Sequence, residues 1–107
     1  MEKVKILIYW PNGNTTAIVE KSIPRELQTG IAQKIINNEN LVEQVIFLEK
    51  SISKKALARL QMMGNEFSGN AALVFGYYLL KKYNKKRVIF ESPGTNELIK
   101  TTINQKE

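Results

Sequence analysis

An apolar stretch in the second half of the chain limits what this sequence can fold into more than any other feature. Residues 71–80 read AALVFGYYLL, with hydrophobic or small side chains throughout. A surface helix carries a polar face, so a helix over this stretch is predicted to run through the interior, covered by a sheet. The small residues Ala71, Ala72 and Gly76 would let strands approach the helix closely.

Strand signals alternate with helix signals along the chain. Strands are predicted over residues 4–10, 15–19, 44–48, 56–63, 87–90 and 97–103. The turn signal PNGN at 11–14 joins the first two as a hairpin. Residues 56–59 could alternatively be the end of a helix. The pattern β-β-α-β-β-α-β-β predicts one α+β domain over 1–107, a curved mixed or antiparallel sheet around the central apolar helix.

The first helix is predicted from its start signal and its periodicity. Pro24 suits the first turn of a helix, with Ser22 or Ile23 near the cap position. The polar residues 37–40 end it. The apolar residues that recur at helical spacing, and so define its buried face, are Leu27, Ile31, Ala32, Ile35 and Ile36.

Composition excludes several classes of site. The 107 residues include no cysteine and no histidine, which excludes disulfides, thiolate–metal sites and imidazole catalysis within this chain. No apolar run is long enough to span a bilayer. The first ten residues do not resemble a signal peptide, because Pro11 ends their apolar run and no cleavage site follows. A cytoplasmic location is expected.

The net charge of +6 comes from scattered lysines and a run at residues 81–87, KKYNKKR. This run falls at the predicted end of the central helix, where cations complement the helix dipole. A phosphate-binding patch is the alternative. Nucleic acid is disfavoured as a partner because no aromatic-rich RNA or DNA motif accompanies the charge.

Residues 63–72, MGNEFSGNAA, carry most of the functional information. Ser68 falls where the central helix should begin, and Gly69 and Asn70 supply backbone N–H groups in its first turn. Such a helix start binds anions, because unpaired donors and the helix dipole point the same way. The competing interpretation is that Ser68 is simply an N-cap, with Glu66 as a capping side chain.

Three segments in order, PNGNTT at 11–16, EQV at 43–45 and MGNEFSGNA at 63–71, resemble the N-terminal half of the diaminopimelate epimerase-like amino-acid racemases. The likeness is strongest to the histidine racemase branch, whose motif reads GNEFCGNA. The resemblance implies two similar domains with the substrate between them, no cofactor and no metal. One cysteine from each domain would remove or return the Cα proton.

The resemblance also assigns roles to particular residues. Ser68 takes the place of the first catalytic cysteine, and Gly69 and Asn70 form the cradle of the substrate's α-carboxylate. Asn14 and Gln44 line the substrate site. For Asn14, closure of the hairpin turn is an equally good explanation, and Gln44 is equally explained as an ordinary strand residue.

Two departures from the family pattern change the expected activity. A serine hydroxyl is a far weaker acid than a thiol, so proton transfer at Ser68 is expected to be lost or severely reduced. The second domain, with its second cysteine, is missing, so this chain alone is not expected to racemise an amino acid. It could be a separate domain, a fragment or a truncated gene product.

Expectations about ligand and partners follow. Residues 60–63, LQMM, lack the asparagine that diaminopimelate epimerases use for the distal carboxylate, so free histidine or another single amino acid is favoured. The partner would be the missing C-terminal domain, or a second copy that packs on exposed Trp10 or Phe67. Tyr77 and Tyr78 are assigned to the core and rim of the helix. A binding or oligomerising module without catalysis, and a basic nucleic-acid-binding domain, are the alternative functions.

Overall fold

Six strands and two helices follow one another in the predicted order. The structure, a computed structural model, describes residues 6–9, 15–38, 42–62 and 67–103. The elements are β1 Ile6–Tyr9, β2 Thr16–Val19, α1 Arg25–Asn38, β3 Gln44–Glu49, β4 Ala58–Met62, α2 Gly69–Tyr83, β5 Arg87–Glu91 and β6 Ile99–Thr102. The α+β fold with a mixed sheet is therefore confirmed, and residues 58–59 belong to a strand rather than to a helix.

The six strands form one sheet in sequence order, β1 to β6. The pairs β1–β2, β3–β4 and β5–β6 are antiparallel, which confirms the first hairpin. The pairs β2–β3 and β4–β5 are parallel, and each is joined through one helix. Because β2 and β4 point in opposite directions, right-handed crossovers would place the two helices on opposite faces of the sheet.

Burial confirms that the two faces have separate cores. On β3, Ile46 belongs to the core around α2, whereas its neighbours Val45 and Phe47 belong to the core beside α1. The same alternation on β2 sends Ile18 to the α2 face and Ala17 to the α1 face. This period of two is the pleat of a strand that is covered on both faces.

Helix α2 is buried along most of its length. Phe75 makes an edge-on ring contact with Phe90 of β5, with centroids 5.0 Å apart. At Gly76 the helix backbone comes so close to β6 that an added Cβ would lie 2.8 Å from the Cβ of Thr101. Asn84 ends the helix in the left-handed conformation, a usual way for a helix to stop.

The sheet does not cover α2 all round, contrary to the expectation from its apolar sequence. Leu73 and Tyr77 are 54% and 60% exposed, whereas Tyr78 is 2% exposed. The pair was predicted to belong to core and rim, and the structure shows that Tyr78 is the core residue and Tyr77 the rim residue. The exposed stripe lies between Gly76, which faces β6, and Tyr78, which lies beside Leu7 of β1. It marks the arc that the sheet leaves open.

Helix α1 buries most of the predicted face, since Ala32 is buried and Ile31, Ile35 and Ile36 pack against the core beside it. The exception is at its first turn. Leu27, assigned to the buried face, is 54% exposed, and Gln28 is 4% exposed. The Gln28 Nε2 donates to the carbonyl of Ile23 at 3.0 Å and to Oε2 of Glu49 at 2.8 Å. These two acceptors satisfy the donors of an amide side chain that is buried beside the sheet.

Candidate functional site

The candidate site lies at the start of α2, and Ser68 is its N-cap. Ser68 has extended backbone angles, φ −131° and ψ 121°. Its Oγ accepts a hydrogen bond from the Ala71 N–H at 3.2 Å, and its carbonyl accepts from the Ala72 N–H at 2.9 Å. The capping interpretation of Ser68 is thus confirmed. The half-buried hydroxyl also stands where the chain enters the helix.

The first helical residues, Gly69 and Asn70, present their backbone to solvent. Both are exposed, and in an α-helix their N–H groups have no partner within the helix. The first turn has no acidic side chain that could compete for them. A Cβ built on Gly69 would meet no atom of the described residues within 4 Å, apart from its chain neighbours and its own helix backbone. The start of α2 is therefore open to an anion, and the dipole favours one there.

Gln44 lies at the same end of the sheet as Ser68. It is the first residue of β3 and pairs with Thr16, the first residue of the parallel strand β2. Strand β4 runs antiparallel to β3, with Ile46 opposite Met62, so β4 ends where β3 begins. The chain then passes from β4 to α2. The topology thus brings the start of β3 and the start of α2 to one edge.

The side chain of Gln44 has an unused donor. Its Nε2 atom is buried and has no hydrogen-bond acceptor within the described part of the chain. An unpaired buried donor costs about 1–3 kcal/mol, so an acceptor group on a ligand would be favourable there. The role of Gln44 in a substrate site stays a prediction.

Thr15 belongs to this edge as well, although the sequence interpretation gives it no role in the site. It is buried, and its carbonyl accepts from the N–H groups of Glu43 at 2.9 Å and Gln44 at 3.3 Å. These bonds fix the backbone of Gln44. The pairing joins segments far apart in the chain, so no local signal could have shown it.

Asn14, Trp10 and Glu66 lie outside the described residues, so their predicted roles stay predictions. Among the described residues no carboxylate forms a hydrogen bond with Ser68, and no group of histidine, cysteine, aspartate or glutamate side chains could hold a metal ion. The described part of the site can hold an anion. It contains no base bonded to the Ser68 hydroxyl.

A comparison with known families gives a match. Residues 3–107 match the family described as histidine racemase CntK N-terminal domain. The chain belongs to this family. A search of curated proteins gives no match. Membership in the CntK N-terminal domain family confirms the resemblance to histidine racemases. Neither helix of the described residues has the length and hydropathy needed to cross a membrane.

Proposed function

We propose that this chain forms one half of a cofactor-independent amino-acid racemase site, with histidine as the favoured ligand. The observation that carries the proposal is the start of α2, where Ser68 caps the helix and Gly69 leaves the first N–H groups open. The α-carboxylate would sit on the N–H groups of Gly69 and Asn70. Its Cα would then lie beside position 68, and Gln44 Nε2 and Asn14 would contact the rest of the ligand.

Racemisation needs two proton-carrying groups on opposite faces of Cα. One removes the Cα proton, the carboxylate gains negative charge, and the other returns a proton to the opposite face. Donors at a helix start stabilise that charge and lower the pKa of a cysteine thiol placed there. The Ser68 hydroxyl has no such acidity, and no base among the described residues is bonded to it. We therefore propose that the half-site binds an amino acid without exchanging its Cα proton.

The second proton-carrying group would come from a C-terminal domain. That domain would cover the exposed apolar side chains near the site, which are Phe67, Leu73 and Tyr77. Without it, they would favour association of two copies in the cytoplasm. Sedimentation of the chain at increasing concentration tests this part. A dimer is expected, and a monomer at every concentration would contradict it.

Binding is tested by titrating the chain with L-histidine and following amide resonances by NMR. Gly69→Ala should fold, because nothing obstructs the new methyl, yet the methyl would occupy the space over the first N–H groups. We expect the dissociation constant to rise at least about tenfold. The matched control is Gly30→Ala in α1, which also places a methyl in open space and should bind like the natural chain.

The absence of turnover is tested by deuterium exchange at the Cα of histidine. We expect none with this chain, alone or joined to a C-terminal domain. Ser68→Cys in the two-domain protein should restore exchange, and Ser68→Ala should not. Histidine binding without exchange in the cysteine variant would support the alternative, an amino-acid-binding module of the same fold. Failure of histidine to bind at all would overturn the proposal.

A further inference from the structure

A basic concavity lies between the loop that precedes β4 and the start of β5. Its volume is about 290 Å³. Four cationic side chains line it, and the remaining lining is apolar. The cations are Lys54, Lys55, Lys85 and Arg87. No acidic residue is part of the lining.

Two groups of cations that are separate in the sequence meet here because their backbones are tied together. The N–H of Leu57 donates to the carbonyl of Ile89 at 2.7 Å. Glu91 holds the preceding loop, since its carboxylate accepts from the N–H groups of Ile52 at 2.9 Å and Ser53 at 2.6 Å. The backbone that carries Lys54 and Lys55 is therefore fixed against β5.

The four cations have no partner of opposite charge in the part of the chain that the structure describes. None of them forms an ion pair with a described residue, whereas Lys82 pairs with Glu20 at 3.3 Å and Arg25 with Glu49 at 2.9 Å. Glu91 lies behind the loop and is already bound by two N–H groups and by Arg59, 3.6 Å away. Like charges around one concavity repel one another, and a bound anion would relieve that repulsion.

The dipole of α2 explains only part of this arrangement. Lys81 and Lys82 lie in its last turn, where they complement the negative end. Lys85 follows the helix, and its N–H donates to the carbonyl of Leu80 at 3.0 Å. Lys54 and Lys55 belong to a different loop. Their presence at the same concavity calls for another explanation.

We propose that this concavity binds a small phosphate-bearing anion. Lysine and arginine are the side chains that bind phosphate, the arginine through its planar fork of donors. The lining has no aromatic ring on which a nucleic-acid base could stack, which favours a small anion over a single-stranded nucleic acid. The 15 residues of α2 span roughly 22 Å, so this site is distinct from the one at Ser68.

The test is a titration of the chain with inorganic pyrophosphate, followed by amide NMR at a constant ionic strength of about 0.1 M. Shifts are expected at residues 54–57 and 85–89. Lys54→Gln/Lys85→Gln should raise the dissociation constant about tenfold, consistent with the loss of two charge contacts. The matched control Lys21→Gln/Lys34→Gln removes the same charge elsewhere and should change it less than about twofold.

Thermal denaturation provides a second measurement, which distinguishes anion binding by these lysines from a role in stabilising the fold. Without anion, Lys54→Gln/Lys85→Gln should melt at or above the temperature of the natural chain, because repulsion is relieved. Pyrophosphate should raise the melting temperature of the natural chain and the control but not of this variant. Equal loss of binding in both double variants would show that pyrophosphate responds only to the net charge of the chain, and it would overturn the proposal. An oligonucleotide that shifts these residues where pyrophosphate does not would identify a nucleic-acid surface instead.

Discussion

Helix α1 and helix α2 both connect neighbouring parallel strands, yet different chemistry holds each against the sheet. They have 14 and 15 residues. The buried residues of α2 are all hydrophobic or small, whereas those of α1 are Gln28 and Ala32. Polar contacts complete the attachment of α1, since Arg25 Nη2 and Gln28 Nε2 both donate to Glu49 of β3, at 2.9 Å and 2.8 Å. Two helices with the same topology can therefore be held against one sheet by different interactions.

The glycines of the two helices show the same contrast. Gly30 of α1 has open space around its Cα, and Gly76 of α2 is in contact with β6. Gly69 is open again, but at the start of α2 rather than along its length. Replacement of each glycine by alanine should therefore measure a different effect. Gly76 reports on packing, Gly30 on backbone preference, and Gly69 on the space for a ligand.

The largest effect is expected from Gly76→Ala. The added methyl would overlap the side chain of Thr101, which is branched at Cβ and part of a strand, so β6 itself must move. We expect a loss of about 3 kcal/mol in the free energy of unfolding, measured by urea denaturation. Stability equal to that of the natural chain would show that β6 does not press on α2.

A smaller effect is expected at the polar attachment of α1. Burial raises the pKa of Glu49, but hydrogen bonds from Arg25 and Gln28 and the charges of Arg25 and Arg59 outweigh burial, so this pKa is lowered in the folded protein. The stabilisation is then fully present above the unfolded pKa of about 4.3. It is lost as pH falls through the lowered folded value.

Glu49→Gln should remove about 1.5 kcal/mol at pH 7, and the two proteins should converge in stability below about pH 4. Urea midpoints at a series of pH values provide the measurement. A difference that stays constant down to pH 3 would mean that the ionised carboxylate is not what attaches α1.

The cap of α2 ranks next. Ser68→Ala should cost about 1 kcal/mol, because the Ala71 N–H loses its acceptor. Ser68→Asp is the matched control, since it keeps an acceptor oxygen and adds a charge that the helix start favours. The idea fails if alanine and aspartate give the same urea midpoint.

The smallest effect has the opposite sign. Gly30→Ala should stabilise the protein by about 0.5–1 kcal/mol, because alanine loses less backbone freedom in a helix and meets no neighbour. Thermal denaturation would detect the rise. A decrease would show that the outer face of α1 is covered in solution.

Sequence patterns predicted every element because their signals are local. The all-apolar run predicted a buried α2, and the serine before it predicted the start of the helix. The burial of Gln28 in place of Leu27 could not be predicted, because Gln28 bonds to Glu49, which lies on a distant strand. The exposure of Leu73 and Tyr77 depends on where the sheet ends. The sequence of α2 contains no pattern that indicates the edge of the sheet.

The site was predictable to a similar extent. Ser68, Gly69 and Asn70 are adjacent in sequence, so their common position at the start of α2 follows from one helix boundary. The approach of Gln44 to the same edge needs the sheet order, and the buried donor of its side chain needs the packing. The run at 81–87 indicated a phosphate-binding patch only as an alternative, and the contribution of Lys54 and Lys55 could not be predicted because β4 and β5 meet only through a crossover.

The contact between Gly76 and Thr101 also selects how the last hairpin aligns. On β6, residues 99, 101 and 103 share one face of the strand by alternation, and two of them are isoleucines. A slip of β6 by two residues would present Ile99 or Ile103 to the bare backbone of α2 instead of the smaller threonine. Only the observed pairing of Val88 with Thr101 puts the least bulky side chain over the glycine. Packing against α2 therefore disfavours any other register of β6.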